Sequence, residues 1–411
     1  MDPLLFDGLD ATVLLIVVIK VLVVFGFLLI SVLLMIWAER KVLSDMQNRI
    51  GPNRAGPWGV LQTMADGIKL FFKEDLLPEK ADRRIFRLAP YLAAVPAFLT
   101  FAVIPVGGTV TLFGRQTYLQ LADPPIGILF LLAMSSIAVY GVMLAGWSSG
   151  SKYPLLGSVR ASAQMVSYEA SMSLAVATAV LAAGSLSTYD IVASQAGGLL
   201  RWNVVALGLV PFLIFVISAT AEMNRPPFDL VEAEQELVGG FHTEYSGIRF
   251  ALFFLAEFMN TITMSAIAVT LFLGGPAAPF AFLPEIPVVW FLVKLVAFLF
   301  AYIWVRATLP RLRYDQLMDL GWKKLLPVSL FWLLLVAALR LGRDQGWNGV
   351  AVLGVGMAVF VAGWAVLGAA LDASARVPPP LDPYPGEAVG AHGPSGPLSG
   401  IVEPVESRRA T

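Results

Sequence analysis

One acidic stretch, residues 221–257, places titratable side chains between two strongly apolar segments. It carries seven carboxylates against two arginines, Arg225 and Arg249. The carboxylates are those of Glu222, Asp229, Glu232, Glu234, Glu236, Glu244 and Glu257. Burial and like-charged neighbours both disfavour an ionised carboxylate and therefore raise its pKa. The stretch predicts groups that bind and release protons near neutral pH; the alternative is a solvated acidic loop.

Three ionisable side chains lie inside apolar segments that are long enough to cross a membrane: Glu169, Glu257 and Lys294. An ionised group at the centre of a membrane-spanning helix costs about 2.5 to 3.5 kcal/mol on insertion scales. That cost makes each of the three a candidate functional residue. The structural alternative is that Glu169 and Lys294 pair only to neutralise one another.

The composition is that of an integral membrane protein. Hydrophobic residues make up 57% of the chain, charged residues 14%, and the mean hydropathy is +0.75. A net charge of -1 argues against a nucleic-acid partner. The chain has no cysteine for an iron–sulfur cluster or a disulfide, and its two histidines, His242 and His392, lie far apart. We therefore expect no metal centre and no covalent cofactor in this chain.

Nine apolar segments reach or approach the length of about 20 residues that a transmembrane helix needs. They are residues 11–37, 88–106, 125–147, 160–184, 203–221, 249–273, 287–308, 326–341 and 348–371. The second and the eighth are short or interrupted by proline. The first has no basic residue before Lys20 and no small-residue cleavage site, so we expect a retained span. The predicted fold is an all-α integral membrane protein with about nine transmembrane helices.

The distribution of lysine and arginine predicts the orientation. The connection after the first span contains ten of these residues, and the next connection contains only Arg115. By the positive-inside rule the odd-numbered connections are cytoplasmic, with the N-terminus outside and the C-terminus inside. The acidic loop, residues 222–248, is then cytoplasmic. We expect a membrane domain over residues 1–373 and a disordered cytoplasmic tail, rich in proline and glycine, over residues 374–411.

The first cytoplasmic connection contains an amphipathic segment at residues 58–73. Its apolar residues recur at helical spacing, and Asp66 and Lys69 lie one turn apart on the polar side. We expect a helix with Pro57 at its first position. Two interpretations stay open: the helix is an anchor on the lipid headgroups, or its polar face lines a cavity at membrane depth.

A series of ordered sequence blocks resembles the family of H subunits of respiratory complex I, which are called subunit 1 in mitochondria. The similarity covers about residues 10–340, and the last predicted span and the tail lie outside it. The matching positions fall within Glu39–Leu43, Gln47–Asn53, Leu61–Glu74, Ser158–Glu169, Ala221–Leu237, Gly240–Glu257, Trp304–Ala307 and Pro310–Leu317. So many blocks in one order make the resemblance highly specific.

The resemblance implies a membrane-arm subunit of proton-pumping NADH:quinone oxidoreductase in a bacterial cell membrane. Its substrate would be a quinone, ubiquinone or menaquinone, which meets electrons from an iron–sulfur cluster held by another subunit. By position, the quinone tunnel is lined by Arg40, Arg49, Asp66 and Lys69, with Phe241 near its inner end. An isoprenoid tail needs an apolar channel, and a reducible headgroup needs donors and cations. For the arginines alone, the alternative is that they reach lipid headgroups.

The resemblance also implies a chain of carboxylates between the quinone site and antiporter-like subunits. Glu169, Glu222, Glu257 and the acidic loop correspond to this chain, so quinone reduction would be coupled electrostatically to proton pumping elsewhere. The implied partners are peripheral-arm subunits that hold iron–sulfur clusters and the quinone site, small membrane subunits, and antiporter-like subunits.

Two other functions fit parts of the pattern. An ion-coupled secondary transporter also combines many spans with buried carboxylates, but it should show internal repeats, and no inverted repeat is evident. A homologous anchor subunit of a membrane-bound hydrogenase would keep the fold without reducing quinone. The Gln47–Asn53 and Arg311–Gln316 blocks look closer to the quinone enzymes.

Overall fold

A computed structural model of the chain describes residues 3–5, 8, 10–229, 238–280 and 282–375. These residues form an all-α membrane protein, as predicted, with one small hairpin. The helices are α1 (Ala11–Met46), α2 (Gln62–Phe72), α3 (Arg83–Phe101), α4 (Gly127–Ser148), α5 (Lys152–Ala183), α6 (Thr188–Ser194), α7 (Asn203–Ala206), α8 (Leu209–Glu222), α9 (Gly247–Phe272), α10 (Pro287–Thr308), α11 (Tyr314–Asp319), α12 (Leu326–Asp344) and α13 (Gly349–Ala375). Short 3-10 turns lie at Pro3–Leu5, Pro57–Gly59, Leu199–Arg201 and Gly240–His242, and a π-helical turn, Leu320–Leu325, joins α11 to α12.

A helix covers each of the nine predicted spans, and seven of the described helical segments are long and apolar enough to cross a membrane. One of these seven is the continuous segment from α11 to α12. Two of the predicted spans, α3 and α8, are not among these seven, for different reasons. The arginines at positions 83, 84 and 87 lower the hydropathy of α3, and α8 has only 14 residues. Both pack inside the bundle, α3 against α4 and α8 against α5.

The chain forms two compact units, residues 1–353 and 354–411. The first contains α1 to α12 and the beginning of α13. Of the second, the structure describes residues 354–375, which continue α13. Exposed side chains of this part, such as Val359 and Trp364, are apolar, as expected for a helix in lipid.

Helix α9 is the most deeply buried of the candidate spans. Every residue from Thr261 to Phe272 is buried, because α9 packs against α1, α3 and α10. The hydroxyls of Thr261, Ser265 and Thr270 donate to carbonyls of the preceding turn, at 3.0, 2.7 and 2.8 Å. A helix that is covered on all sides belongs at the centre of a bundle.

Helix α5 is the second central element, in contact with α4, α8 and α12. Its Tyr168 is fully buried, and the phenolic hydroxyl donates to the carbonyl of Leu317 at 2.8 Å. A buried tyrosine hydroxyl normally finds such a partner. The contact fixes α11 against α5.

A small hairpin lies at the end of the bundle where α3 ends. Its strands are β1 (Thr109–Leu112) and β2 (Arg115–Tyr118), and Thr109 lies opposite Tyr118. The two residues between the strands, Phe113 and Gly114, have φ angles of 50° and 80°. Such a pair of positive φ angles matches the twist of a two-residue hairpin turn.

The amphipathic helix is shorter than predicted. It begins at Gln62 and not at Pro57, because Trp58 has a φ of 53° and interrupts the helical backbone. Gly59 lies against Pro52 so closely that a Cβ atom would be 2.4 Å from the proline carbonyl carbon. The apolar side of α2, including Phe72, is exposed, as expected for a surface that contacts lipid or another protein.

Candidate functional site

A cavity of about 120 Å³ lies between α3, α4, α8, α9 and the Gly240–His242 turn. It is at the end of the bundle where α9 begins. Three of the predicted site residues line it: Glu222, Phe241 and Glu257. His242 lines it as well, and most of the remaining wall is apolar. We call this space the acid cavity, because two carboxylates from different helices meet there.

Glu222 is the last residue of α8, and its side chain is buried. Its Oε1 accepts a hydrogen bond from Ser135, and its Oε2 has no hydrogen-bond partner among the described residues. Ser136, the next residue of α4, donates to Glu169 of α5. Glu169 lies close enough for its charge to act on Glu222. Two adjacent serines therefore hold two of the predicted proton-carrying carboxylates side by side.

A chain of ion pairs runs from α1 to the acid cavity, and two of its members, Glu39 and Arg225, are buried. Arg225 Nη1 lies 3.1 and 2.9 Å from the two carboxylate oxygens of Glu39, and Arg225 Nε lies 2.8 Å from Glu257 Oε1. Glu39 also pairs with Arg306 of α10. The guanidinium carbon of Arg225 lies 4.1 Å from the centre of the Phe258 ring. Because a buried charge without its partner is strongly destabilising, these four charges are held as one unit.

A single amide positions the turn that carries Arg225. Gln164 Nε2 of α5 donates to the carbonyl oxygens of Ala221 and Phe228, at 2.6 and 2.7 Å. Between them, Asn224 has a φ of 52°, a conformation that asparagine adopts more readily than most residues. This turn directly follows α8, so Glu222 and Arg225 are held by the same support.

The Gly240–His242 turn brings Phe241 and His242 into the bundle. Gly157 of α5 packs so closely against this turn that a Cβ atom would lie 2.7 Å from the Gly240 Cα. The rings of Phe241 and Phe253 meet edge to face, with their centres 5.2 Å apart. Burial lowers the pKa of His242 from 6.5 to about 4, so its imidazole is neutral at pH 7.

The start of α9 is tied to the neighbouring helices by Tyr245 and Arg249. The Tyr245 ring stacks on Phe86 with centres 4.0 Å apart, and its hydroxyl donates to the Phe86 carbonyl at 3.1 Å. Burial raises the pKa of Tyr245 to about 12. Arg249 pairs with Asp75 at 2.9 Å. These contacts fix the position from which Glu257 enters the acid cavity.

The other four residues predicted to bind quinone are not among the described residues that line the acid cavity. Arg40 pairs with Asp66 of α2 at 2.7 Å, and Lys69 Nζ lies 3.8 Å from the same carboxylate. Arg49 is exposed in the turn that follows α1. The structure therefore brings Arg40, Asp66 and Lys69 into one cluster, which we call the α1–α2 cluster, and places Phe241 elsewhere.

The remaining acidic residues of the stretch have different surroundings. Glu232, Glu234 and Glu236 lie outside the described residues. Asp229 is buried and pairs with Arg311 at 3.1 Å. Glu244 is half-buried, and it is not among the described residues that line the acid cavity.

The alternative in which Glu169 pairs with Lys294 is wrong. The Lys294 ammonium donates to three backbone carbonyls at 2.7, 2.8 and 2.7 Å, those of Leu273, Gly275 and Ala277. It also lies 4.0 Å from the centre of a Trp202 ring. Lys294 is near the start of α10, where α9 ends, whereas Glu169 lies beside Glu222. The fold therefore separates two charges that the sequence alone allowed to pair.

Sequence reasoning missed Glu39 and His242. The first had a signal in the sequence, because Glu39 lies at helical spacing from the apolar residues Leu28, Val32 and Met35, which the structure shows to be buried on α1. A carboxylate on a buried stripe indicates an internal cation. His242 had no such signal, because only the packing of the turn that contains it brings the imidazole to the acid cavity.

The acid cavity has the groups needed to hold and move protons. Its volume of about 120 Å³ has room for several water molecules, since one water occupies about 30 Å³ in the liquid. Carboxylates, serine hydroxyls and a neutral imidazole can all exchange protons with such water. In the part of the chain that the structure describes, no group of three or more histidine or acidic residues is placed to hold a metal ion.

Comparison with known proteins covers most of this chain. The sequence model of a family described as NADH dehydrogenase matches residues 19–337. The H subunit of NADH-quinone oxidoreductase from Frankia casuarinae is 57% identical over 331 residues, which cover 79% of this chain and 72% of the relative. The corresponding H subunit from Frankia alni is 56% identical over 331 residues, with the same coverage. The matched region includes the acid cavity, the buried ion pairs and the α1–α2 cluster.

Proposed function

The chain belongs to the family of H subunits of NADH-quinone oxidoreductase, and we propose that it forms part of the quinone site of this membrane enzyme and relays charge from that site. The relay would end at proton-translocating subunits of the same complex. The observation that carries the proposal is the chain of ion pairs Arg306–Glu39–Arg225–Glu257, buried at Glu39 and Arg225, which connects α1 to the acid cavity.

The α1–α2 cluster supports the quinone part of the proposal. Arg40 and Lys69 supply two positive charges around one carboxylate, Asp66. The neighbouring apolar side of α2 is exposed, which suits contact with an isoprenoid tail. A reduced headgroup that carries negative charge would be stabilised by Arg40 in competition with Asp66. Arg49 would stand at the exposed entrance and Phe241 at the inner end.

The connection between Arg40 and Glu39 supports the relay. These two residues are neighbours on α1, and one contacts the α1–α2 cluster while the other contacts Arg225. A charge change at bound quinone would shift the field at Glu39 and weaken or strengthen the contact between Arg225 and Glu257. A buried carboxylate that loses its cation takes up a proton, because the charged form is no longer stabilised. Glu257 would thus convert a charge change into proton uptake at the acid cavity.

From the acid cavity, the relay would continue through Glu222 and Glu169 to membrane subunits with antiporter-like folds. Asp229 and Glu244, together with Glu232, Glu234 and Glu236 outside the described residues, belong to the same proposal through their place in the acidic stretch. We place this stretch on the cytoplasmic side of a bacterial cell membrane, where the peripheral arm with its iron–sulfur clusters would dock. The tail from residue 374 would be cytoplasmic as well.

The quinone part is tested with Arg40→Gln and Asp66→Asn in the assembled enzyme. We expect each variant to raise the KM for quinone and to weaken photoaffinity labelling of this subunit by a quinone analogue, because the charges that position the headgroup are lost. Arg54→Gln, an exposed cation of the same connection, is the matched control. Labelling and KM that match the wild type in both variants would refute the quinone site.

The relay is tested with Glu257→Gln and Glu222→Gln, measured as quinone reduction and protons pumped per NADH in sealed vesicles. Loss of a group that transfers protons lowers the rate by about 100-fold or more. Glu285→Gln, on the connection before α10, is the control because Glu285 lies at the opposite end of the bundle. Wild-type rates and stoichiometry in both test variants would refute the relay.

A further inference from the structure

His242 is a buried titratable residue that the relay described above does not use. Its side chain lines the acid cavity together with Glu222 and Glu257. Its ring meets Phe241 and Phe250 edge to face, with centres 5.0 and 5.5 Å apart. A phenyl ring carries no nitrogen or oxygen atom, so neither ring offers the imidazole a conventional hydrogen-bond partner.

The two ring nitrogens of His242 make no hydrogen bond to another described residue of the chain, and the side chain lines the acid cavity. His242 itself is half-buried, whereas its neighbour Thr243 is exposed and its neighbour Phe241 is buried. The imidazole therefore stands between the outer surface of the turn and the interior of the acid cavity. An imidazole that lines the same cavity as two carboxylates, without a hydrogen-bond partner in the described protein, needs water as its partner.

We propose that His242 is a proton-transfer residue at the mouth of the acid cavity, which passes protons between the aqueous side and the carboxylates Glu222 and Glu257. This inference rests on the proposed relay, because it supplies the route by which the relay exchanges protons with water. One ring nitrogen accepts a proton from water on one side, and the other nitrogen releases a proton to water on the other. No electron moves, and the imidazole returns to its neutral form as the opposite tautomer.

A neutral imidazole suits this role. It is a donor at one nitrogen and an acceptor at the other, which no carboxylate or ammonium group can match. The low pKa of His242, about 4, prevents it from holding the proton at pH 7. The proton is therefore passed on to a stronger base, and Glu257 can serve as that base when it loses its contact with Arg225.

The charged groups around His242 leave this route open. Among the described residues, α8 contributes Glu222 and α9 contributes Glu257, both in the acid cavity. Arg249, at the start of α9, is engaged by Asp75. Glu244 follows on the same turn, and Arg160 lies on α5 about one helical turn from Gly157, which packs against that turn. The described residues of α3 and α4 that line the acid cavity are uncharged.

The test uses His242→Asn and His242→Ala in the assembled enzyme in sealed vesicles. Asparagine keeps a polar side chain at this position but cannot pass a proton between two sites. We expect both variants to lower coupled turnover by about 100-fold or more, the range for loss of a proton-transfer group. The solvent deuterium isotope effect should rise, and added imidazole should restore turnover in His242→Ala. His392→Asn, the only other histidine of the sequence, is the control.

Two results would overturn the inference. One is wild-type turnover and pumping in His242→Asn. The other is a loss that imidazole does not restore and that leaves the isotope effect and pH profile unchanged, since a residue needed only for packing behaves in this way. If Glu257→Gln impairs pumping while His242→Asn does not, only the proposed role of His242 is refuted. If Glu257→Gln and Glu222→Gln both pump protons as the wild type does, the proposed relay itself is refuted.

Discussion

Two cations beside α9, the buried Arg225 and the half-buried Lys294, are held in contrasting ways, Arg225 near the middle of the helix and Lys294 at its C-terminus. Each lies over an aromatic ring, at 4.1 Å from Phe258 and 4.0 Å from Trp202 respectively. Arg225 is paired with carboxylates, whereas Lys294 donates to neutral backbone carbonyls. The partners therefore differ in whether they can change their charge.

This difference separates a responsive site from a fixed one. A carboxylate can take up a proton when its cation moves, so the contacts of Arg225 can follow a change in local charge. A peptide carbonyl has no such second state. Lys294 therefore acts as a cap on the C-terminus of α9, where a helix presents unpaired carbonyls and partial negative charge.

The surroundings of Lys294 complete this cap. Gln195 donates to the Thr270 carbonyl at 3.0 Å, and its own oxygen accepts from the Gly274 amide at 3.0 Å. Asn203 donates to the Leu271 carbonyl at 2.7 Å. The helix end is thus satisfied by side chains from separate segments.

The largest effect is expected from Arg225→Met. Removal of one member of a buried ion pair costs about 3 to 5 kcal/mol, because Glu39 and Glu257 remain as uncompensated charges. Hydrogen exchange of α9 and the yield of assembled enzyme measure the loss. Arg225→Lys keeps the charge and should lose less. Equal yield and exchange for Arg225→Met and the wild type would show that the ion pairs do not stabilise the bundle.

Lys294→Met should have the second largest effect. Buried acceptors that lose their donor cost about 1 to 3 kcal/mol, and the damage should be confined to the end of α9. Hydrogen exchange should therefore increase in residues 270–277 and remain unchanged near Glu257. If Lys294→Met altered proton pumping in enzyme that still assembles, Lys294 would have more than a structural role. That result would contradict the distinction drawn between Lys294 and Arg225.

Glu39→Gln makes the Arg225 site resemble the Lys294 site, since a neutral amide replaces a carboxylate of similar shape. Hydrogen bonds to charged groups are stronger than neutral ones by about 1 to 1.5 kcal/mol, so we expect a modest loss of stability. Coupled pumping should fall more than stability does. Pumping that survives in proportion to the amount of folded enzyme would contradict the link between titratable partners and coupling.

Acidification should produce the smallest effect and should act on one end only. His242 has a pKa of about 4 in the folded chain and 6.5 as a reference value, so unfolding takes up a proton between these pH values. Its stabilising contribution is complete above pH 6.5 and decreases as the pH falls from 6.5 towards 4. After correction for the pH dependence of the intrinsic exchange rate, the hydrogen-exchange rate should rise in residues 238–250 and not in residues 270–277. In His242→Asn, the exchange rate of residues 238–250 should no longer rise as the pH falls.

Helical segments were the part of the fold most readily predicted. Long apolar runs predict membrane helices because the hydrocarbon leaves no other way to satisfy the backbone. Boundaries were less accurate, since the positive φ of Trp58 depends on how the following turn packs against Pro52. The alternative pairing of Glu169 with Lys294 is wrong because charge alone does not specify which helices are neighbours.

The sequence by itself determined the class of the protein, its apolar helices and the motifs that indicate its family, because these depend on residue types and spacing along one chain. Only the tertiary structure decided which charges meet. Glu39, Arg225 and Glu257 come from three separate segments, and their contacts depend on distances across the bundle. The same packing placed His242 beside the acid cavity and Lys294 against carbonyls, because burial leaves a charged or polar group only the partners that the fold brings within reach.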